Sequence, residues 1–309
     1  MAKISPFRAR VEYAAAFTVL DALRALPDRV SMWLGVTIGG LAFHLLGRHR
    51  RIGLRNLEIA FPDKSETERL AILKNSFRNL GRVLAVFCKF DDMTEQRVRE
   101  LVEYSPDPDW VAASARARAE GRGHIVIGGH VGNWELGAFT FPFFFEPVTF
   151  LARRMDNPFI EIRFHRSRTR YGNIQFHKTN ALTAVVDILR AGGTIAVLAD
   201  VNAHHKGGVF VPFFGTPACT HASIAMLAMR TNSVILPVWT VWDEQTQRYR
   251  VVYEDLIEPV RTGDRERDII NNTVGFVAAT ERIIREYPDQ WMWIHRRWKT
   301  RPEGEDPIY

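Results

Sequence analysis

The chain has little cysteine: two residues in 309, Cys88 and Cys219, each in an apolar stretch and neither with metal-ligand spacing. That scarcity excludes a disulfide-stapled scaffold and a cysteine-based zinc site, and it fits a reducing, cytosolic setting. There is no HExxH and no glycine-flanked serine elbow, so neither a zinc-hydrolase helix nor an activated serine nucleophile is indicated. His204 and His205 are adjacent, and neighbouring side chains in a strand point to opposite faces, so they do not join His130 in a metal set. No metal and no cofactor are expected. Zinc-finger spacing, aromatic RNP signatures and a basic recognition helix are missing, and no nucleic-acid partner is expected. The first ten residues lack the pattern of a cleavable secretion signal, and no internal repeat stands out.

Long apolar runs are scarce as well. Residues 31–47, SMWLGVTIGGLAFHLLG, make seventeen positions without a formal charge, at the short edge of what spans a bilayer. The run lies between Arg29 and the cluster Arg48, His49, Arg50 and Arg51, with Arg55 just beyond. Positive charge on that side suits a cytosolic domain that follows a membrane segment. The run is therefore read as a spanning or deeply embedded anchor, with a buried core helix as the alternative. Gly35 and Gly39 form a small-xxx-small face. Residues 7–25 mix apolar and charged positions in the manner of an amphipathic helix. Residues 1–60 then form an amino-terminal membrane-associated helical segment, and residues 61–309 a catalytic domain.

Charge of one sign is in excess. Forty-one Lys and Arg face thirty-five Asp and Glu, a formal net charge of +6, which suits an anionic membrane surface or a phosphorylated substrate. Residues 66–90 repeat apolar positions at three- and four-residue steps behind a Ser65/Glu68 capping box. A helix is also expected over 107–120. From there the chain alternates: strands at 124–128, 148–152, 194–199, 234–240 and 249–253, helices at 134–139, 158–167, 180–191, 220–230 and 267–286. The pattern predicts an α/β fold with a mixed, largely parallel sheet flanked by helices. The 249–253 strand follows a short polar turn and should be antiparallel to its neighbour.

The chemistry concentrates after the first long strand. His124-Ile125-Val126-Ile127 runs into Gly128-Gly129-His130-Val131-Gly132-Asn133-Trp134-Glu135. Two glycines allow a sharp turn, and Asn133 suits the cap of a following helix. Across such a turn the His130 imidazole and the Glu135 carboxylate can fold back into a hydrogen-bonded pair, with His130 as general base and Glu135 holding its tautomer. A basic group follows: Arg153, Arg154, Arg163, Arg166, Arg168, Arg170 and Lys178. Guanidiniums on the same rim suit phosphate, and Arg153, Arg166, Arg168 and Arg170 are the candidates for substrate contact. Asp200 closes the strand at 194–199 and is a candidate to orient an arginine or to bind the acceptor. Phe210, Phe213 and Phe214 lie in an aromatic hairpin-like run and are candidates for the wall of an acyl groove. Taken alone, these residues leave open a lipid or thioester hydrolase and a noncatalytic lipid-binding protein.

Several of these motifs are familiar together. His130-Val-Gly-Asn-Trp-Glu135 resembles the H-x4-D/E motif of glycerolipid-type acyltransferases, and its ending resembles the bacterial lipid A late acyltransferases of the lauroyl/myristoyl type. Arg153-Arg154-Met155-Asp156-Asn157-Pro158, Arg166-Ser167-Arg168 and Phe210-Val211-Pro212-Phe213-Phe214-Gly215 are similar to further segments of that family. So are Asn56-Leu57 through Phe61-Pro62, and the carboxyl-terminal run from Trp291 to Gly304. The resemblance implies a glycerolipid-acyltransferase-like fold at the cell inner membrane, single-pass or peripheral, with the catalytic domain on the cytoplasmic side. It also implies transfer of a fatty acyl group from an acyl carrier protein thioester, or acyl-CoA, to a hydroxyl of a phosphorylated glycolipid acceptor in lipid A and lipopolysaccharide biosynthesis. Another membrane glycolipid or a lysophospholipid is the alternative acceptor.

Overall fold

The computed structural model describes residues 5–152, 154–177 and 182–309. Four helices open the chain: α1 (Pro6–Ala25), α2 (Asp28–Leu45), α3 (Gly47–Ala60) and α4 (Glu66–Phe87). Helix α5 (Glu95–Leu101) leads into β1 (Val102–Glu103), α6 (Pro108–Ala119) into β2 (His124–Gly128), and α7 (Trp134–Phe144) into β3 (Thr149–Ala152). Then α8 (Pro158–Thr169) precedes β4 (Ile174–His177), and α9 (Leu182–Arg190) precedes β5 (Thr194–Leu198). A hairpin of β6 (Gly208–Phe213) and β7 (Thr216–His221), α10 (Ser223–Thr231), β8 (Val234–Asp243), β9 (Arg248–Tyr253) and α11 (Arg265–Glu286) complete it.

Local chemistry sets most of these boundaries. The Ser65/Glu68 capping box starts α4 as its sequence predicts. Asp107 and Asn157 cap α6 and α8, each followed by proline at the first helical position, where the missing N–H is harmless. Residues 220–222 depart from the helix expected over 220–230. The segment around Thr220 read as helical, yet it pairs as β7 with β6, and the helix begins only at Ser223. Strands β1 and β4, at the two edges of the sheet, are too short to stand out by pattern.

The sheet runs β1-β9-β8-β2-β5-β3-β4. The pairs β8–β2, β2–β5, β5–β3, β3–β4 and β1–β9 are parallel, and β8–β9 is antiparallel, so a mixed, largely parallel sheet flanked by helices is what forms. The apolar centre of β2, Ile125-Val126-Ile127, is buried, as a strand covered on both faces must be. Its register pairs Ile125 with Ile195 and Gly128 with Leu198.

Residues 31–47 do not lie in one helix: they run through most of α2 and reach the first residue of α3. Among the described residues no single helix is long and apolar enough to cross a membrane. Helices α2 and α3 meet that measure only jointly, and they are bent by 90°. The glycine face of α2 is used inside the protein, against α4. A Cβ on Gly35 would lie 2.4 Å from the Gly81 carbonyl oxygen, and one on Gly39 would lie 2.2 Å from that of Phe77. The small residues thus let two helices of this chain approach closely. The opposite face of α2 leaves Trp33 and Leu41 exposed, and Leu45 at the bend is 80% exposed.

Candidate active site

Strands β2 and β5 are parallel neighbours, and the register that pairs Gly128 with Leu198 carries His130 and Asp200 to the same carboxyl edge, each two residues beyond its strand. There the two meet. The Asp200 carboxylate accepts from His130 Nδ1 at 2.9 Å through Oδ1, and from the His130 backbone N–H at 2.7 Å through Oδ2. Gly129 makes the approach possible, because a Cβ there would sit 3.2 Å from the Asp200 carboxyl carbon. Trp291 Nε1 donates to the same Oδ2 at 2.8 Å.

The turn itself is tied down on three sides. Gly132 adopts φ of +62°, and a Cβ there would lie 2.0 Å from the Thr240 carbonyl oxygen, so only glycine fits. Its N–H donates to the Gln290 carbonyl at 3.0 Å, that of Asn133 to the Thr240 carbonyl at 2.7 Å, and that of Met292 to the His130 carbonyl at 3.0 Å. Asn79 Nδ2 donates to the Gly132 carbonyl at 2.8 Å. Asn133 caps α7 as anticipated, its side chain accepting from Leu136 N.

Glu135 does not make the expected hydrogen bond to His130. As the second residue of α7 it turns toward α8, where Arg168 binds it through both arms: Nε to Oε2 at 2.9 Å and Nη2 to Oε1 at 2.6 Å. A capped helix that starts at Trp134 rotates Glu135 away from the turn, and the neighbouring strand supplies Asp200 in its place. Glu135 still acts on the imidazole through its charge.

The remaining expected site residues divide. Arg168 reaches the site through Glu135. Arg170 donates to the Asp91 carbonyl. Arg166 is exposed on α8. Arg153 lies outside the described residues. Phe213 and Phe214 are not groove walls: both are buried in the main core, with the Phe213 ring 5.7 Å from that of Trp291 and 5.5 Å from that of Trp298. Phe210, on the other face of β6, is only half-buried, with His205 against its ring.

Electrostatics assign the proton. Burial opposes ionisation of Asp200, but the His130 imidazole, its hydrogen bonds and the Trp291 N–H hold the carboxyl well below the usual carboxylate range. An ionised carboxylate only accepts, so Nδ1 of His130 is the donor and Nε2 carries the free lone pair. Burial disfavours the imidazolium, yet the charge and hydrogen bond of Asp200, with the charge of Glu135, raise the His130 pKa above its ordinary value. The His130 side chain is 18% exposed and that of Asp200 2%, so the imidazole is the part of the pair that reaches the surface. Trp134 flanks it edge-on, ring centroids 5.0 Å apart. The arrangement is an oriented base of moderate strength. Among the described residues no group of three metal-ligating side chains assembles.

Three contributors were not anticipated individually. Trp291 holds Asp200, His295 accepts from the Asn202 backbone N–H at 3.0 Å, and Arg297 is buried nearby. Their only advance signal was the tryptophan-rich carboxyl-terminal run.

Comparison with known proteins extends this picture. A sequence model of the family described as bacterial lipid A biosynthesis acyltransferase matches residues 4–300. The lipid A biosynthesis palmitoleoyltransferase of Escherichia coli K12 is 29% identical over 285 residues, 92% of this chain and 90% of that protein. The lauroyltransferase of lipid A biosynthesis from the same organism is 28% identical over 288 residues, again 92% and 90%. A lipid A biosynthesis acyltransferase of Haemophilus influenzae is 26% identical over 292 residues, 91% of this chain and 88% of that protein.

Proposed function

This chain belongs to the bacterial lipid A biosynthesis acyltransferases, and on that footing we propose that it moves a fatty acyl group from an acyl carrier protein thioester to a hydroxyl of a phosphorylated lipid A precursor, with His130 as general base. The observation that carries the reading is the His130–Asp200 pair, with Nε2 as its free basic atom.

In this mechanism the acceptor hydroxyl lies against Nε2, which takes its proton as the oxygen attacks the thioester carbonyl. Asp200 fixes the tautomer and stabilises the imidazolium. The tetrahedral intermediate collapses with loss of the carrier's thiolate, and His130 returns the proton to that sulfur. Transfer is direct: both cysteines are buried, and burial pushes their thiols up, away from the thiolate form. For the oxyanion, the N–H groups of Gly132 and Asn133 are already bonded to carbonyls. The first-turn N–H groups of Trp134 and Glu135, unpaired by the helix, are the donors we assign instead. Glu135 serves as a charge held by Arg168. Arg166 and Arg153 are assigned to acceptor phosphate, and Phe210 to the acyl chain.

The protein works at the cytoplasmic side of the inner membrane in this reading. Apolar Phe7, Trp33 and Leu45 project outward, and Arg48, Arg51 and Arg55 follow on an exposed stripe of α3, a combination that suits the interface of an anionic bilayer. Purified protein, acyl carrier thioester and lipid A precursor, followed by mass spectrometry of the lipid, test the reaction. A lipid product heavier by one acyl group is expected. Free fatty acid with unchanged acceptor would identify a hydrolase and overturn it.

A further inference from the structure

Asp200 lies in backbone that the sheet no longer holds. Strand β5 ends at Leu198. The Ala199 N–H still donates to the Gly128 carbonyl at 2.9 Å, and the Ala203 N–H donates to the Cys219 carbonyl at 2.9 Å. Asp200 sits between these two anchors in irregular chain, yet its carboxylate must stay aimed at Nδ1 of His130. The anchor between them is a side chain: the Asn202 backbone N–H donates to Nε2 of His295 at 3.0 Å. A backbone N–H can only donate, so Nε2 of His295 holds a lone pair, Nδ1 carries the proton and the ring is neutral. Burial pushes the His295 pKa below its ordinary value, which favours the form that this contact requires.

His295 belongs to the strap of chain, residues 290–295, that also grips the histidine turn. The Gln290 carbonyl accepts from the Gly132 N–H at 3.0 Å, and the Met292 N–H donates to the His130 carbonyl at 3.0 Å. Trp291 Nε1 reaches Asp200 itself at 2.8 Å. The main chain of His295 is fixed in turn: its N–H donates to the Met292 carbonyl at 3.3 Å, and its carbonyl accepts from Asn56 Nδ2 at 2.7 Å. These contacts close a ring that runs from His130 through Met292, His295, Asn202 and Asp200 back to His130. Thr300 holds the Asn202 side chain, with Asn202 Nδ2 donating to Thr300 Oγ1 and the Thr300 N–H to Asn202 Oδ1, each at 3.0 Å. His295 holds the other part of that residue, the peptide unit that joins it to Val201.

We propose that His295 is a positioning residue for acyl transfer: by accepting from the Asn202 N–H it fixes the chain just beyond Asp200 and keeps that carboxylate aimed at His130. It acts through Asp200 rather than on the reacting atoms. Without the acceptor, the main chain from 200 to 202 loses its anchor between Ala199 and Ala203. Trp291 still holds Oδ2, but the Oδ1 bond to Nδ1 loosens, and control of the His130 tautomer weakens with it. This inference rests on the reading of His130 as a base that Asp200 orients.

The test is steady-state acyl transfer by the full-length protein and its His295→Leu and His295→Gln variants. Leucine removes the acceptor, and kcat should fall roughly tenfold, the worth of one buried hydrogen bond carried into the barrier, with KM for acceptor and thioester little changed. Glutamine places an amide oxygen where Nε2 stands and should recover most of the rate. In an Asp200→Ala background His295→Leu should slow transfer by no more than about twofold further, because its effect passes through that carboxylate. A folded His295→Leu with wild-type kcat, a glutamine variant as slow as the leucine one, or the same loss again on top of Asp200→Ala overturns the proposal. If His295→Leu does not fold, His295→Asn takes its place. Its amide stops one bond short of the Asn202 N–H, so it should be slower than His295→Gln, and equal rates contradict the role. The downfield proton resonance of His130 Nδ1 gives a reading independent of catalysis. It should shift in His295→Leu and return in His295→Gln, and an unmoved resonance contradicts the positioning. Transfer by His130→Ala would remove the base reading and leave this resonance to decide.

Discussion

Replacement of Asp200 by asparagine separates an oriented base from a merely buried histidine. In the native site Oδ2 accepts two hydrogen bonds, from the His130 backbone and from Trp291, while Oδ1 accepts from Nδ1. Asparagine has one acceptor oxygen. Two fixed donors converge on the Oδ2 position, so the amide oxygen must occupy it and the NH2 must face the imidazole. Nδ1 then becomes an acceptor, its proton moves to Nε2, and the atom that should take the proton no longer has a lone pair. Every group keeps a partner, so the fold should persist. Loss of charge-assisted bonds to a buried carboxylate should cost about 2 kcal/mol of stability. The rate should suffer far more. Where the same exchange inverts the tautomer of a catalytic histidine, turnover falls about 10^4-fold, or about 5 kcal/mol in the barrier. The assay is transfer of a mass-tagged acyl group from carrier thioester to acceptor, across pH, on protein with a native circular dichroism spectrum. An Asp200→Asn enzyme within tenfold of wild type would refute the tautomer argument.

Other consequences follow from the same geometry. Arg168→Met strands the largely buried Glu135 carboxylate and should destabilise the protein by roughly 2–3 kcal/mol; Glu135→Gln/Arg168→Met should regain part of that loss in thermal unfolding, and strictly additive effects would contradict a direct pair. Gly132→Ala combines a positive φ with a 2.0 Å clash against Thr240 and should cost at least about 3 kcal/mol or prevent folding, whereas Gly47→Ala, in open space, should be close to neutral; equal melting points would sink the turn argument. The depressed pKa of Asp200 means that its ionisation stabilises the fold above the ordinary carboxylate value, about 3.9, and that this contribution is lost as pH falls toward the folded value. The stability gap between wild type and Asp200→Asn should therefore be wide at pH 6 and narrow toward pH 3, as read by denaturant unfolding.

How far the sequence disclosed this site depends on which contacts are local. The β2 strand, the glycine turn and the Asn133 cap lie within the ten residues from His124 to Asn133, and apolar patterning with turn chemistry marks them. Glu135 seemed the partner of His130 because it is near in sequence, but Asn133 starts a helix that carries it to Arg168. Asp200 stood out at a strand end, yet its partner could not be read from there, since the pairing of β2 with β5 is a property of sheet order. Phe213 and Phe214 looked like the material of an acyl groove; the three tryptophans that bury them come from the carboxyl-terminal run about eighty residues on. Gly35 and Gly39 form a small-xxx-small face in the sequence, and the neighbour that packs on it is α4, which no local pattern names.

In the proposed reaction Nε2 of His130 takes the acceptor's proton. Acyl transfer by His130→Ala, measured with purified carrier thioester and lipid A precursor on protein whose melting temperature matches wild type, tests it most directly. No product above the uncatalysed background is expected. Near-normal transfer by that variant would contradict it.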